Sequence, residues 1–262
     1  MNRLSHLLFG FSLFVGIYSL AYAYTVWQSD IASLMDLLFY YLVGGIAFTV
    51  VSVPILYYKA PHKDDAHRTT SNRGAVGAMS FVTFCAGSLG GIFVYQYLTG
   101  VTVIGNISIF IGAIITMSGA IIPDWDIIFL DISRHRNIIF HSVILPLVIT
   151  FMTLVNVAQN LYSGGVFSSG AHIEYYITAL FLLGYASHLY LDIFPSDASP
   201  LEIIWRAIDL DKKAPTGLKP LGPIKIGKKG ARAWLVGNAT ILVIVALGLM
   251  GLYFYQISLL SP

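Results

Sequence analysis

Residues able to hold a metal ion stand where apolar stretches of this sequence end. Asp124 and Asp126 follow Pro123 in IIPDWD, Asp131 comes next, and His135 and His141 lead into another apolar run. His188 and Asp192 close a further run, LLGYASHLYLD. Imidazole nitrogen and carboxylate oxygen are ligands for zinc, manganese or iron. Residues four apart on a helix project from one face, so His188 and Asp192 can chelate one ion. Pro123 stops a helix and frees its backbone, letting Asp124 and Asp126 turn toward one point. Two carboxylates so placed repel unless a cation lies between them. Each piece alone is also an ordinary polar helix end. Six candidate ligands at three helix ends favour a metal site, because charge and histidine at a membrane edge are costly and usually functional. His67, in a loop with His62, Asp64 and Asp65, either closes the site from a third element or is a solvated histidine. His6 and His172 read as interfacial, with Glu174 on the outer side.

The elements that carry these residues must be membrane helices. Of 262 residues 56% are hydrophobic and 11% charged, and the mean hydropathy is +0.76. Continuous apolar runs of about 20 residues cross roughly 30 Å of hydrocarbon as helices, whereas a barrel would show short alternating segments. The expected fold is an all-α polytopic membrane protein with about seven transmembrane helices, near residues 7–27, 34–58, 74–98, 106–122, 138–158, 173–193 and 232–257. All 15 Lys and Arg then fall before the first span or between spans two and three, four and five, and six and seven. The positive-inside rule puts that face, the N-terminus and the Asp/His clusters in the cytoplasm and the C-terminus outside. Residues 1–58 read as an accessory hairpin and 59–262 as the core. The first apolar run is expected to be an uncleaved helix rather than a signal peptide. The single cysteine, Cys85, excludes an internal disulfide and a thiolate cage. Asn106 and Asn238 open glycosylation-type triplets too close to the membrane to be good acceptors. No nucleotide-binding loop, serine elbow or nucleic-acid module occurs.

Taken together, three segments resemble a known family. IIPDWD is similar to its LLPDID segment, SRHRNIIFHS to GHRGxTHS, and LLGYASHLYLD to LGYxSHLxxD. They identify the chain with the YdjM/YbcI-type membrane-bound metal-dependent hydrolases, distantly similar to zinc-dependent phospholipase C-like proteins. The resemblance runs from the third span to the loop after the sixth. It implies a divalent metal, zinc foremost with manganese or iron as alternatives, held by Asp124, Asp126, His135, His141, His188 and Asp192. That family also has a histidine opening the helix before its acidic segment. Here that position falls near residues 72–74, with His67 as the nearest histidine. Asn137, Ile138 and Ile139 stand where the family has Gly and Thr, and FPSDASP replaces a Thr-x-x-Gly turn.

The expected function is therefore a metal-dependent hydrolase of the plasma (inner) membrane, acting from the cytoplasmic face on a phosphoester of a lipid or membrane-associated substrate. Asp126 or His135 would be a further ligand or the general base, and Arg134 or Arg136 would hold the anionic substrate. The basic loop within residues 194–231 would contact anionic headgroups, and no nucleic-acid partner is expected. The alternative is a non-catalytic scaffold or regulatory protein with a structural metal site. A transporter is disfavoured, because the candidate ligands sit at helix ends and not mid-bilayer.

Overall fold

The computed structural model describes residues 3–29, 31–59, 72–100, 109–126, 137–164, 172–193, 218–221 and 224–260. These form helices α1 (Arg3–Ser29), α2 (Ile31–Lys59), α3 (Asn72–Thr99), α4 (Ile109–Ile121), α5 (Ile144–Ile149), α6 (Phe151–Tyr162), α7 (Ile173–Leu191) and α8 (Lys228–Leu260). A 3-10 turn, Ile122–Trp125, follows α4. Strands β1 (Leu218–Leu221) and β2 (Ile224–Ile226) pair antiparallel just before α8. The protein is thus a helical membrane protein, with one small hairpin among the described residues. Within α1, α2, α3 and α8, residues 6–24, 33–55, 80–99 and 230–257 are long and apolar enough to cross a membrane. These match the first, second, third and seventh expected spans.

The other three expected spans are shorter or interrupted. The fourth is a 13-residue helix, α4. Where the fifth was expected from residue 138, Asn137 to Val143 form turns. There Ser142 Oγ donates to Ile139 O at 2.8 Å and accepts from Ile144 N at 3.1 Å. The helical run breaks again at Thr150, whose Oγ1 and N both donate to Pro146 O. Competition of this kind between short hydroxyl side chains and the helix ladder is what breaks such a run. The sixth is α7, with 19 residues.

The chain forms two compact units. One comprises residues 11–107 and 197–209, and the other residues 1–10, 108–196 and 210–262, so α1 contributes to both. In the first unit α2 and α3 meet along glycines. A Cβ on Gly44 would strike Gly87 O and the Gly91 backbone, and one on Gly91 would strike Tyr40 O. Such small-residue seams let membrane helices approach to backbone contact. From α1, Phe14, Val15, Tyr18, Tyr22 and Val26 form a buried stripe, and Tyr18 OH accepts a 2.7 Å hydrogen bond from Gln96. Cys85 is buried and has no disulfide partner. Gly100 ends α3 with φ +71, the left-handed cap that glycine adopts without strain.

The second unit is built on α7, which is buried along nearly its whole length. On one side α4 crosses it at Gly119 and Gly184. A Cβ on Gly184 would strike Thr116 O, and one on Gly119 would strike Phe181 O. On another, α8 packs with Ala231, Leu235, Asn238, Leu242, Ala246, Leu249 and Tyr253 buried, at the three-and-four spacing of one helix face. Near the N-terminal end of α7, His172 Nδ1 lies 2.9 Å from Glu174 Oε1, and Asn156 and Asn160 of α6 bond Glu174 and Tyr175. The Asp/His cluster occupies the other end.

Candidate metal centre

Four backbone features aim the candidate ligands at one point. First, the Gly119/Gly184 contact brings α7 against α4 so closely that His188, one turn beyond Gly184, reaches Ala120 O with Nδ1 at 2.8 Å. Second, Pro123 forces the 3-10 turn, in which Asp124 is buried and the Asp126 N–H donates to Pro123 O. Third, Asp192 caps α7, donating its own N–H to His188 O and Tyr190 O. Fourth, the turn at 137–143 is clamped by α8. Trp234 Nε1 donates to His141 O at 2.9 Å, and Asn238 Oδ1 accepts from Val143 N at 2.8 Å. Tyr185 OH of α7 donates to Phe140 O of the same turn.

The result is a fully buried cluster. His141, His188, Asp126 and Asp192 are 0% exposed and Asp124 is 3% exposed. His141 Nε2 lies 3.2 Å from Asp192 Oδ2, and His188 Nε2 lies 3.7 Å from the same oxygen and 3.9 Å from Asp124 Oδ1. Both histidines have Nδ1 against a backbone carbonyl, Ala120 O for His188 and Asn137 O for His141. With the proton assigned to Nδ1 on that basis, each presents a bare Nε2 to the centre. This is how metal-binding imidazoles are oriented.

A further histidine joins them from an unexpected place. His6, in the second turn of α1, is not interfacial but 0% exposed. Its ring stacks on His188 at 3.8 Å, and its Nε2 lies 3.4 Å from Asp192 Oδ1. Gly10 allows this, since a Cβ there would stand 2.9 Å from Ala120 Cβ on α4. Neither ring nitrogen of His6 makes a hydrogen bond among the described residues, a costly state for a buried imidazole.

These residues fit a divalent ion. Ligand atoms at about 2.0–2.2 Å from one metal lie roughly 3.0–3.5 Å from each other, close to the separations found here. Two groups have their ligand atoms within 4.8 Å of one another, His6 with Asp124 and His188, and His141 with His188 and Asp192. They share His188, whose Nδ1 is engaged by Ala120 O, so a single inward nitrogen, Nε2, is common to both groups. Two carboxylates and three imidazoles form a donor set that suits a divalent cation.

Of the residues singled out from sequence, Asp124, His141, His188 and Asp192 are brought together. Asp126 lies beside them on Asn137 N and belongs to neither group. His67, Asp131, Arg134, His135 and Arg136 lie outside the described residues. Asn238 is 8% exposed and spent on the turn, which agrees with its being a poor glycosylation acceptor. Besides His6, sequence reasoning passed over Asn137, Tyr185, Trp234 and Asn238. The available hint was that polar side chains in apolar helices generally bond something.

The model of the YdjM inner membrane protein family matches residues 79–259. The chain belongs to that family. No curated protein and no solved structure matches it. The YdjM match takes in α4, the acidic turn, α7 and nearly all of α8, with every candidate ligand except His6 and His67, which lie outside the matched segment. In this YdjM-family protein, then, α1 carries one of the candidate ligands.

Proposed function

We propose that the protein is a metal-dependent hydrolase of the inner membrane, acting on a phosphoester of a lipid or membrane-associated substrate. The observation that carries the proposal is the buried convergence of His6, Asp124, His141, His188 and Asp192 at one end of the α7 unit. Neutral imidazoles with carboxylates suit zinc, with manganese or iron as alternatives. A divalent ion there supplies Lewis acidity, acidifying water and polarising a phosphoryl oxygen.

The chain's own residues do the rest. Ala120 O and Asn137 O hold the Nδ1 protons of His188 and His141 and so keep Nε2 inward. Trp234 and Asn238 fix the turn that carries His141. His135 is proposed as a further ligand or the general base, and Arg136 or Arg134 as the cation that holds the substrate anion. The one-sided placement of Lys and Arg supports a cytoplasmic N-terminus, an external C-terminus and a cytoplasm-facing site.

A second reading has an observation of its own. All five donors are buried, and five protein donors would leave zinc without the open position that catalysis needs. On this reading the metal is structural and the protein a membrane scaffold. Cobalt-substituted protein separates the two. Perturbation of its visible spectrum by phosphate, with phosphoester hydrolysis by the zinc form, supports the hydrolase. An inert spectrum with no turnover of lipid phosphoesters rejects it in favour of the scaffold.

A further inference from the structure

We infer that Asp126 is a positioning residue for His141 and not a ligand of the metal, so that the two carboxylates of the PDWD segment do different work. This rests on the metal-centre reading above and assigns roles within it. Asp124 and Asp126 are two apart on a helical turn, a spacing at which side chains do not share a face. Asp124 Oδ1 lies 3.9 Å from His188 Nε2 and is grouped with His6. Asp126 looks the other way. Its Oδ2 accepts a 2.8 Å hydrogen bond from Asn137 N and lies 3.8 Å from His141 Nδ1, the nitrogen turned away from the centre.

The backbone of Asn137 is consequently held on both sides of its Cα. Its N–H is held by Asp126, while its carbonyl accepts from His141 N at 2.9 Å and from His141 Nδ1 at 3.1 Å. A carboxylate near Nδ1 favours the proton there and makes Nε2, 3.2 Å from Asp192 Oδ2, the better donor to a metal. Asp126, Asn137 and His141 thus link the acidic segment to the histidine turn through the two peptide groups that flank the Asn137 Cα. Any residue except proline supplies the N–H that Asp126 holds, so the link does not depend on the Asn137 side chain. That side chain instead steadies the turn, its Oδ1 accepting from Ile139 N at 2.9 Å.

The test compares Asp126→Asn and Asp126→Ala with Asp192→Asn in full-length detergent-purified protein, with zinc and cobalt(II) as probes. Asp126→Asn keeps an acceptor for Asn137 N and loses the charge beside Nδ1. Both Asp126 variants are expected to hold the wild-type number of ions, with the cobalt spectrum of an unchanged ligand set. Their affinity should be weaker by about 10–100-fold, less for Asn than for Ala. Asp192→Asn should change the spectrum. The inference is overturned if Asp126→Asn changes the cobalt spectrum as Asp192→Asn does, or loses metal equally. It is also overturned if affinity per folded molecule is unaffected while only thermal stability falls, since that is a merely structural role. Wild-type protein that takes up no metal overturns the metal-centre reading itself, and the wild-type control makes that failure distinct.

Discussion

Gly184→Ala tests how the fold aims its central ligand. A Cβ at this position would stand 2.9 Å from the Thr116 carbonyl carbon and 3.2 Å from Ala120 N, closer still to Thr116 O. Relieving that contact requires α4 and α7 to separate by roughly 1–1.5 Å to reach ordinary van der Waals distance. The His188 Nδ1 to Ala120 O bond, at 2.8 Å, spans the same gap. Stretched by that amount it would pass beyond good hydrogen-bond length. Two effects on stability oppose each other. Alanine gains about 1 kcal/mol over glycine in a helix, while overpacking costs about 1–3 kcal/mol. Stability should therefore fall by no more than about 2 kcal/mol. Loss of an orienting bond on a ligand histidine costs about 10–100-fold in metal affinity, or about 1.4–2.7 kcal/mol. Affinity is thus expected to drop by about 10–100-fold whatever the net change in stability. Competition with a chromophoric chelator reads the first, and thermal unfolding of the apo-protein in detergent reads the second. Unchanged affinity in a variant as stable as wild type would refute the idea that this helix crossing aims His188.

Three further outcomes follow from the same geometry. Trp234→Phe keeps the ring packing but removes the donor to His141 O, so metal affinity should fall several-fold, at a stability cost of about 1 kcal/mol, measured in the same titrations. Asn160→Ala, at the far end of α7, strips the bonds to Tyr175 and Asn156; stability should fall by about 1–3 kcal/mol while metal content stays at the wild-type level, and a loss of metal would contradict the separation of the two clusters. Chelation of the metal by EDTA should lower the unfolding temperature of wild type, because an ion that binds only the native state stabilises it by mass action; His188→Ala protein should show no such shift.

How much of this was legible beforehand differs by element. The four long helices follow from run length alone, because hydrocarbon selects for apolar residues over about 20 positions. His188 with Asp192, and Asp124 after Pro123, could be read from helical spacing and a helix stop. The expected fifth span is not one continuous helix, since residues 137–143 form turns and Thr150, at φ −95 and ψ 8, separates two short helices that an apolar composition does not reveal. His6 was illegible for another reason. It is 118 residues from Asp124 (124 − 6) in the chain, and only the close seating of Gly10 on Ala120 brings it in. Separate roles for Asp124 and Asp126 were equally hidden, because nothing in the sequence marks the backbone N–H of Asn137 as the group that Asp126 holds.

The most direct measurement is elemental analysis of detergent-purified wild-type protein beside His188→Ala, Asp192→Ala and His6→Ala. One divalent ion per chain is expected in wild type, lost in the His188 and Asp192 variants and held more weakly without His6. A well-folded wild-type protein that carries no metal and takes up neither zinc nor manganese would contradict the account. The buried Asp/His cluster would then be a hydrogen-bonded helix junction.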